Sequence, residues 1–82
     1  MLSLKLKELT SDGVTYLYYP KNDETIELGL IKMKIGSLEI LQAEKSGIER
    51  NGNDNYFIHA ISKIRSNTKD QNFPESDFVA WG

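Results

Sequence analysis

Cysteine is absent from this chain and histidine occurs once. Without cysteine the fold can hold neither a disulfide nor a thiolate metal site. A single histidine leaves a zinc or copper centre short of ligands. No metal and no cofactor is expected. No run of about 18 apolar residues exists to cross a membrane as a helix. The first residues, Met1 to Lys7, alternate instead of forming the continuous apolar stretch of a secretory leader. The expectation is a cytoplasmic protein that does not meet the membrane. An excess of charge of one sign is lacking too, since ten basic and twelve acidic residues leave a net −2. Nucleic-acid binding needs a basic stripe to displace counterions. None is visible along the sequence, although Lys5, Lys7, Lys32 and Lys34 could meet on one sheet face.

What is present is a change of hydrophobic period. Up to about Ala43 the apolar residues alternate, and from about Asp54 to Thr68 they recur every three or four residues. Alternation describes half-buried strands and the longer period a helix. Leu2, Leu4 and Leu6 form a first strand whose phase slips at Glu8-Leu9, which predicts a bulge or the strand's end. Asp12-Gly13 is a hairpin-turn signal. Val14 to Tyr19 follows, rich in the aromatic and β-branched residues that suit a pleated surface. Pro20 ends it. Ile26, Leu28 and Leu30 read as the inward set of a third strand, opposite Glu27, Gly29 and Ile31. After a turn near Gly36, Leu38 to Ala43 reads as a fourth strand.

Glu44 to Asn55 reads mainly as loop, although Ser46-Gly47-Ile48-Glu49 has capping-box spacing and predicts a single helical turn. Asn53 or Asp54 is the expected N-cap of the helix, whose stripe is Phe57, Ala60, Ile61 and Ile64. Glu75 to Asp77 reads as a linker. The closing Phe78-Val79-Ala80-Trp81-Gly82 is too apolar to hang free and docks as an edge strand or against the helix. The sum is one α+β domain over 1–82: a four-stranded antiparallel meander with one helix packed across one face.

No pattern in the chain carries chemistry. His59 has Tyr56, Ser62 and Lys63 one helical turn away. A nucleophile there would sit inside a helix with no oxyanion donor behind it, so a small-ligand or enzymatic site around His59 is a minor alternative. The Asn51-Gly52-Asn53-Asp54-Asn55 stretch lacks the spaced carboxylates of a calcium loop. Tyr16, Tyr18 and Tyr19 with Lys5 and Lys7 could stack single-stranded nucleic acid, against the weight of the charge balance. Core packing is the plainer role for these tyrosines. Large apolar groups are also left for the sheet face away from the helix. Leu17, Tyr19, Ile31 and Leu41 are expected there, with Phe78 and Trp81 at the closing segment. Self-association is the reading they favour, and Trp81 is expected to support folding or association.

The segments Asp12 to Pro20, His59 to Ile64, and Phe73-Pro74 with Val79-Ala80-Trp81 resemble a family of short, uncharacterised proteins from Gram-positive bacteria. The resemblance implies the same order of strands, a single helix and a closing aromatic, and it brings no activity. The expected function is that of a small non-catalytic interaction or accessory protein, homodimeric in its simplest form.

Overall fold

The computed structural model describes residues 1–50 and 52–81; what the sequence suggested for Asn51 and Gly82 lies outside them. The elements are β1 (Leu2–Leu9), β2 (Gly13–Pro20), β3 (Gly29–Lys34), β4 (Ile40–Glu44), α1 (Asn55–Lys69) and β5 (Ser76–Val79), with a 3-10 turn at Gly47–Glu49 before the helix. The strands form one antiparallel sheet in the order β4-β3-β2-β1-β5. The first four therefore make the expected meander. The closing segment takes both of its anticipated roles, because β5 pairs with the outer edge of β1 and Trp81 continues onto α1. Ser76 and Asp77, read from the sequence as linker, already belong to β5.

Local chemistry accounts for most boundaries. The phase slip in β1 is a bulge, with Leu6 opposite Tyr16 and Glu8 opposite Thr15, so Lys7 is the extra residue. The β1–β2 hairpin forms, but not through a left-handed Asp-Gly pair, since neither Asp12 nor Gly13 takes a positive φ. Thr10 closes it instead. Its N–H donates to the Gly13 carbonyl at 2.9 Å and its hydroxyl oxygen accepts from the Gly13 N–H at 3.1 Å. After β2, Lys21 and Asn22 both adopt positive φ, and the Asp23 N–H closes the turn on the Pro20 carbonyl.

The third strand begins only at Gly29, so Ile26 and Leu28 precede it, and its register reverses the phase expected from sequence. Ile31 sits opposite Tyr16 and Met33 opposite Val14, and both are buried, while Leu30 lies opposite Leu17 on the other face. The cause is Gly29. It faces inward opposite Tyr18, where a Cβ would fall 2.0 Å from Tyr18 Cε1. Only glycine leaves room for that ring. Ile31, at 0% exposure, is therefore core and not part of any interaction surface.

Leu2, Leu4, Val14, Tyr16, Tyr18, Ile31 and Met33 meet Ala60 and Ile64 of α1 in a single core. Phe57 and Ile61 flank it from the helix, as their spacing requires. Tyr16 donates its hydroxyl to the Pro74 carbonyl at 2.7 Å, anchoring the segment before β5. Burial and the nearby Asp77 carboxylate push its pKa up to about 12 from an ordinary 10.0. A tyrosine held protonated by the fold stabilises it below pH 10 and loses that contribution as pH rises toward 12. Alkaline unfolding is thus expected to begin above about pH 10. Far-UV circular dichroism followed alongside tyrosinate absorbance checks this, and Tyr16 ionising at pH 10 with the fold intact would count against it.

Candidate interaction surface

At the start of α1 lies a buried cluster of polar groups. Glu49, at 0% exposure, accepts hydrogen bonds at Oε1 from the Tyr18 hydroxyl (2.8 Å) and the Ser46 hydroxyl (2.6 Å). Its Oε2 accepts the Phe57 N–H at 2.8 Å. The Tyr18 oxygen in turn accepts the Ser46 N–H at 2.9 Å. Ser46 and Glu49 do form the turn that their spacing predicts, but the serine hydroxyl donates to the glutamate and makes no cap bond to backbone. Asp54 is the N-cap residue, also without a side-chain cap bond, because its carboxylate pairs with Lys45. The carboxylate that serves the helix N-terminus is that of Glu49, where a negative charge meets the positive end of the helix dipole. Burial, more than any other cause, raises the Tyr18 pKa far above the ordinary tyrosine range. All four groups of this cluster are committed to one another, which makes it a structural fastening between sheet and helix.

The aromatic residues proposed for nucleic-acid stacking are divided by the fold. Tyr16 and Tyr18 point into the core, and only Tyr19 lies on the open face. The Lys5 ammonium sits 5.0 Å from the Tyr19 ring centre and pairs with Glu24. Hydrogen bonding to Glu24 and its charge hold the Lys5 pKa above the ordinary lysine value. His59 is stacked on Trp81, with ring centres 3.9 Å apart and planes at 14°, and Tyr56 meets the other edge of Trp81 at 5.6 Å. Trp81 thus packs beside Tyr56 and His59 of the helix against the core, and does not cover the open sheet face. Replacing Trp81 with alanine is expected to cost about 1–2 kcal/mol through lost stacking and burial. Urea unfolding of the variant reads this directly, and an unchanged midpoint would show that the tail contributes nothing.

The sheet face away from α1 carries Tyr19 and Phe78 flanking Ser3, then Leu17 and Leu30 in the row of Lys5 and Glu44, then Thr15 and Lys32. Leu41 is the extra residue of a bulge in β4 and lies on the same face, near Gly13 and Lys32. Much of this face is covered by the chain's own charged side chains. Thr15 is only 7% exposed although no helix lies over it, and Leu17, Tyr19, Leu28 and Leu30 are half-buried. Arg50 grips Glu27 through two hydrogen bonds of 3.0 and 2.7 Å beside a concavity of about 370 Å³ floored by Leu17, Leu28 and Leu30. A second concavity of about 450 Å³ opens where β5 stops short of the second half of β1. Neither is lined by His59.

The least covered part of the sheet is β4. Each of its five residues is exposed, including Ile40 and Leu41, the latter at 50%. Phe78, at 51%, is open at the opposite edge of the sheet, and Leu9 at the end of β1 is exposed as well. The sequence-derived surface is therefore not one patch: Leu17 and Tyr19 lie centrally, Leu41 and Phe78 at opposite edges, Trp81 on the helix side and Ile31 in the core. The exposure of β4 on both of its faces was not read from the sequence, because it depends on how far α1 reaches across the sheet.

Among the described residues, no three or more His, Cys, Asp or Glu side chains gather as metal ligands. Among the same residues, no helix is long and apolar enough to cross a membrane. Comparison with family models, with characterised proteins and with solved structures finds no match to this chain, so a functional reading rests on the geometry above.

Proposed function

We propose that this chain is a small non-catalytic interaction protein that acts by associating with a second copy of itself. The observation that carries the reading is the position of the closing segment. Trp81 and α1 lie on one side, so neither is available to cover Leu41 and Phe78, and β4 is left bare on both faces. Exposed apolar groups at a strand edge are a standing invitation to pairing. The buried polar cluster that might be taken for chemistry is occupied, since Glu49 is held by Tyr18, Ser46 and Phe57, and the His59 ring packs face to face on Trp81.

A cytoplasmic accessory role is part of the same proposal. It is supported by the absence of cysteine, the residue with which small secreted domains commonly brace their folds. Sedimentation velocity across a wide concentration range tests the reading. A mass that doubles with concentration is expected, and a monomer at every concentration would overturn it.

A further inference from the structure

We propose that the second copy docks on the free edge of β4, its own β4 running antiparallel, so that two five-stranded sheets become one continuous sheet. This rests on the self-association reading and names the surface responsible. Antiparallel ladders alternate between residues that bond to the neighbouring strand and residues that face away. The Lys34 N–H donates to the Glu39 carbonyl at 2.8 Å, and Lys32 pairs with Gln42 beyond the bulge. Counting on from there, Gln42 and Glu44 bond to β3, while Ala43 turns its N–H and carbonyl outward.

The devices that usually protect an edge are sparse here. β4 has no proline and no lysine, its only charge is Glu44, and the bulge at Leu41 is confined to its first half. Its side chains are also self-complementary. A two-fold axis at Ala43 lets the two Ala43 backbones exchange both N–H···O=C bonds, with small side chains that permit close approach. The same axis sets each Gln42 amide opposite the Glu44 carboxylate of the other copy. The two Glu44 charges fall at opposite ends of the paired segment. A parallel arrangement would stack them. The central open face is a weaker candidate for the contact, because its leucines are already half-covered by the Arg50–Glu27 and Lys5–Glu24 pairs.

Sedimentation velocity on the wild type and on Ala43→Pro separates the possibilities. Proline removes the outward donor and no bond to β3, as edge positions permit. Association is expected to weaken about tenfold or more, through loss of two hydrogen bonds per dimer, with an unchanged far-UV spectrum. Leu17→Lys, on the open face, is expected to leave the dimer intact. If Ala43→Pro associates like the wild type, or if Leu17→Lys alone abolishes the dimer, edge pairing is wrong while self-association stands. A monomeric wild type removes both. Should the proline variant fail to fold, amide exchange of the wild type decides: the Ala43 N–H is expected to be protected when concentrated and to exchange fast when dilute. Equal exchange at both concentrations overturns the proposal.

Discussion

Alanine at position 49 is expected to cost about 3–5 kcal/mol of folding stability, as three donors lose one buried acceptor. The Tyr18 hydroxyl, the Ser46 hydroxyl and the Phe57 N–H all converge on the Glu49 carboxylate. Each orphaned buried group costs about 1–3 kcal/mol when no water can replace the partner. A domain of this length has roughly 0.05–0.15 kcal/mol per residue to lose, so the variant should forfeit a large share of its stability. Glutamine should do less harm, since it keeps the length and one acceptor oxygen, although its amide nitrogen then faces donors. Urea unfolding of both variants measures the difference. A loss under about 1 kcal/mol for alanine would mean that water enters and serves the three donors.

The second large effect is expected at Gly29. An alanine there must displace the Tyr18 ring, whose Cε1, Cζ and Oη atoms lie 2.0, 2.2 and 2.6 Å from the would-be Cβ. Many rings could swing aside. This one is fully buried, edges against Phe57 at 6.4 Å between centres, and is tethered through its hydroxyl to Glu49 and Ser46. The substitution is therefore expected to destabilise by about 3 kcal/mol or more, toward the upper end for overpacking. Because the harm passes through the ring, combining Gly29→Ala with Tyr18→Leu should cost clearly less than the sum of the two changes. Strict additivity in a double-mutant cycle would show that the harm at position 29 arises elsewhere.

These two positions also mark how far the sequence could be read. Strands β1 and β2, the bulge in β1 and the helix stripe from Phe57 to Ile64 were legible because each is written in neighbouring residues, as a period or a break in one. Strand β4 was placed, but it starts at Ile40 after a turn at Leu38 and carries a bulge at Leu41 that its alternation hid. The phase of β3 was not legible. Ile26, Leu28 and Leu30 alternate as cleanly as Ile31 and Met33, and what chooses between them is the room Tyr18 needs across the strand pair. Glu49 was visible as the last residue of a capping-box spacing, but its main partners are Tyr18, distant in sequence, and the N–H of Phe57. Of the residues assigned to the candidate surface from sequence, Leu41 and Phe78 are exposed. Ile31 was misplaced with the β3 phase, and the bareness of β4 follows from the span of one helix over a sheet wider than itself.

The sheet order has a kinetic consequence. Strands β1 to β4 are joined to their neighbours by short connections, so their hairpins can close quickly from local encounters. The pairing of Leu2 with Val79 and Ser3 with Phe78 instead closes a loop of nearly the whole chain. Loop-closure entropy must be overcome before such contacts reward it. During synthesis on the ribosome, the outer edge of β1 therefore waits, unpaired, until β5 has emerged. That interval is when a nascent chain is most exposed to pairing with the wrong strand.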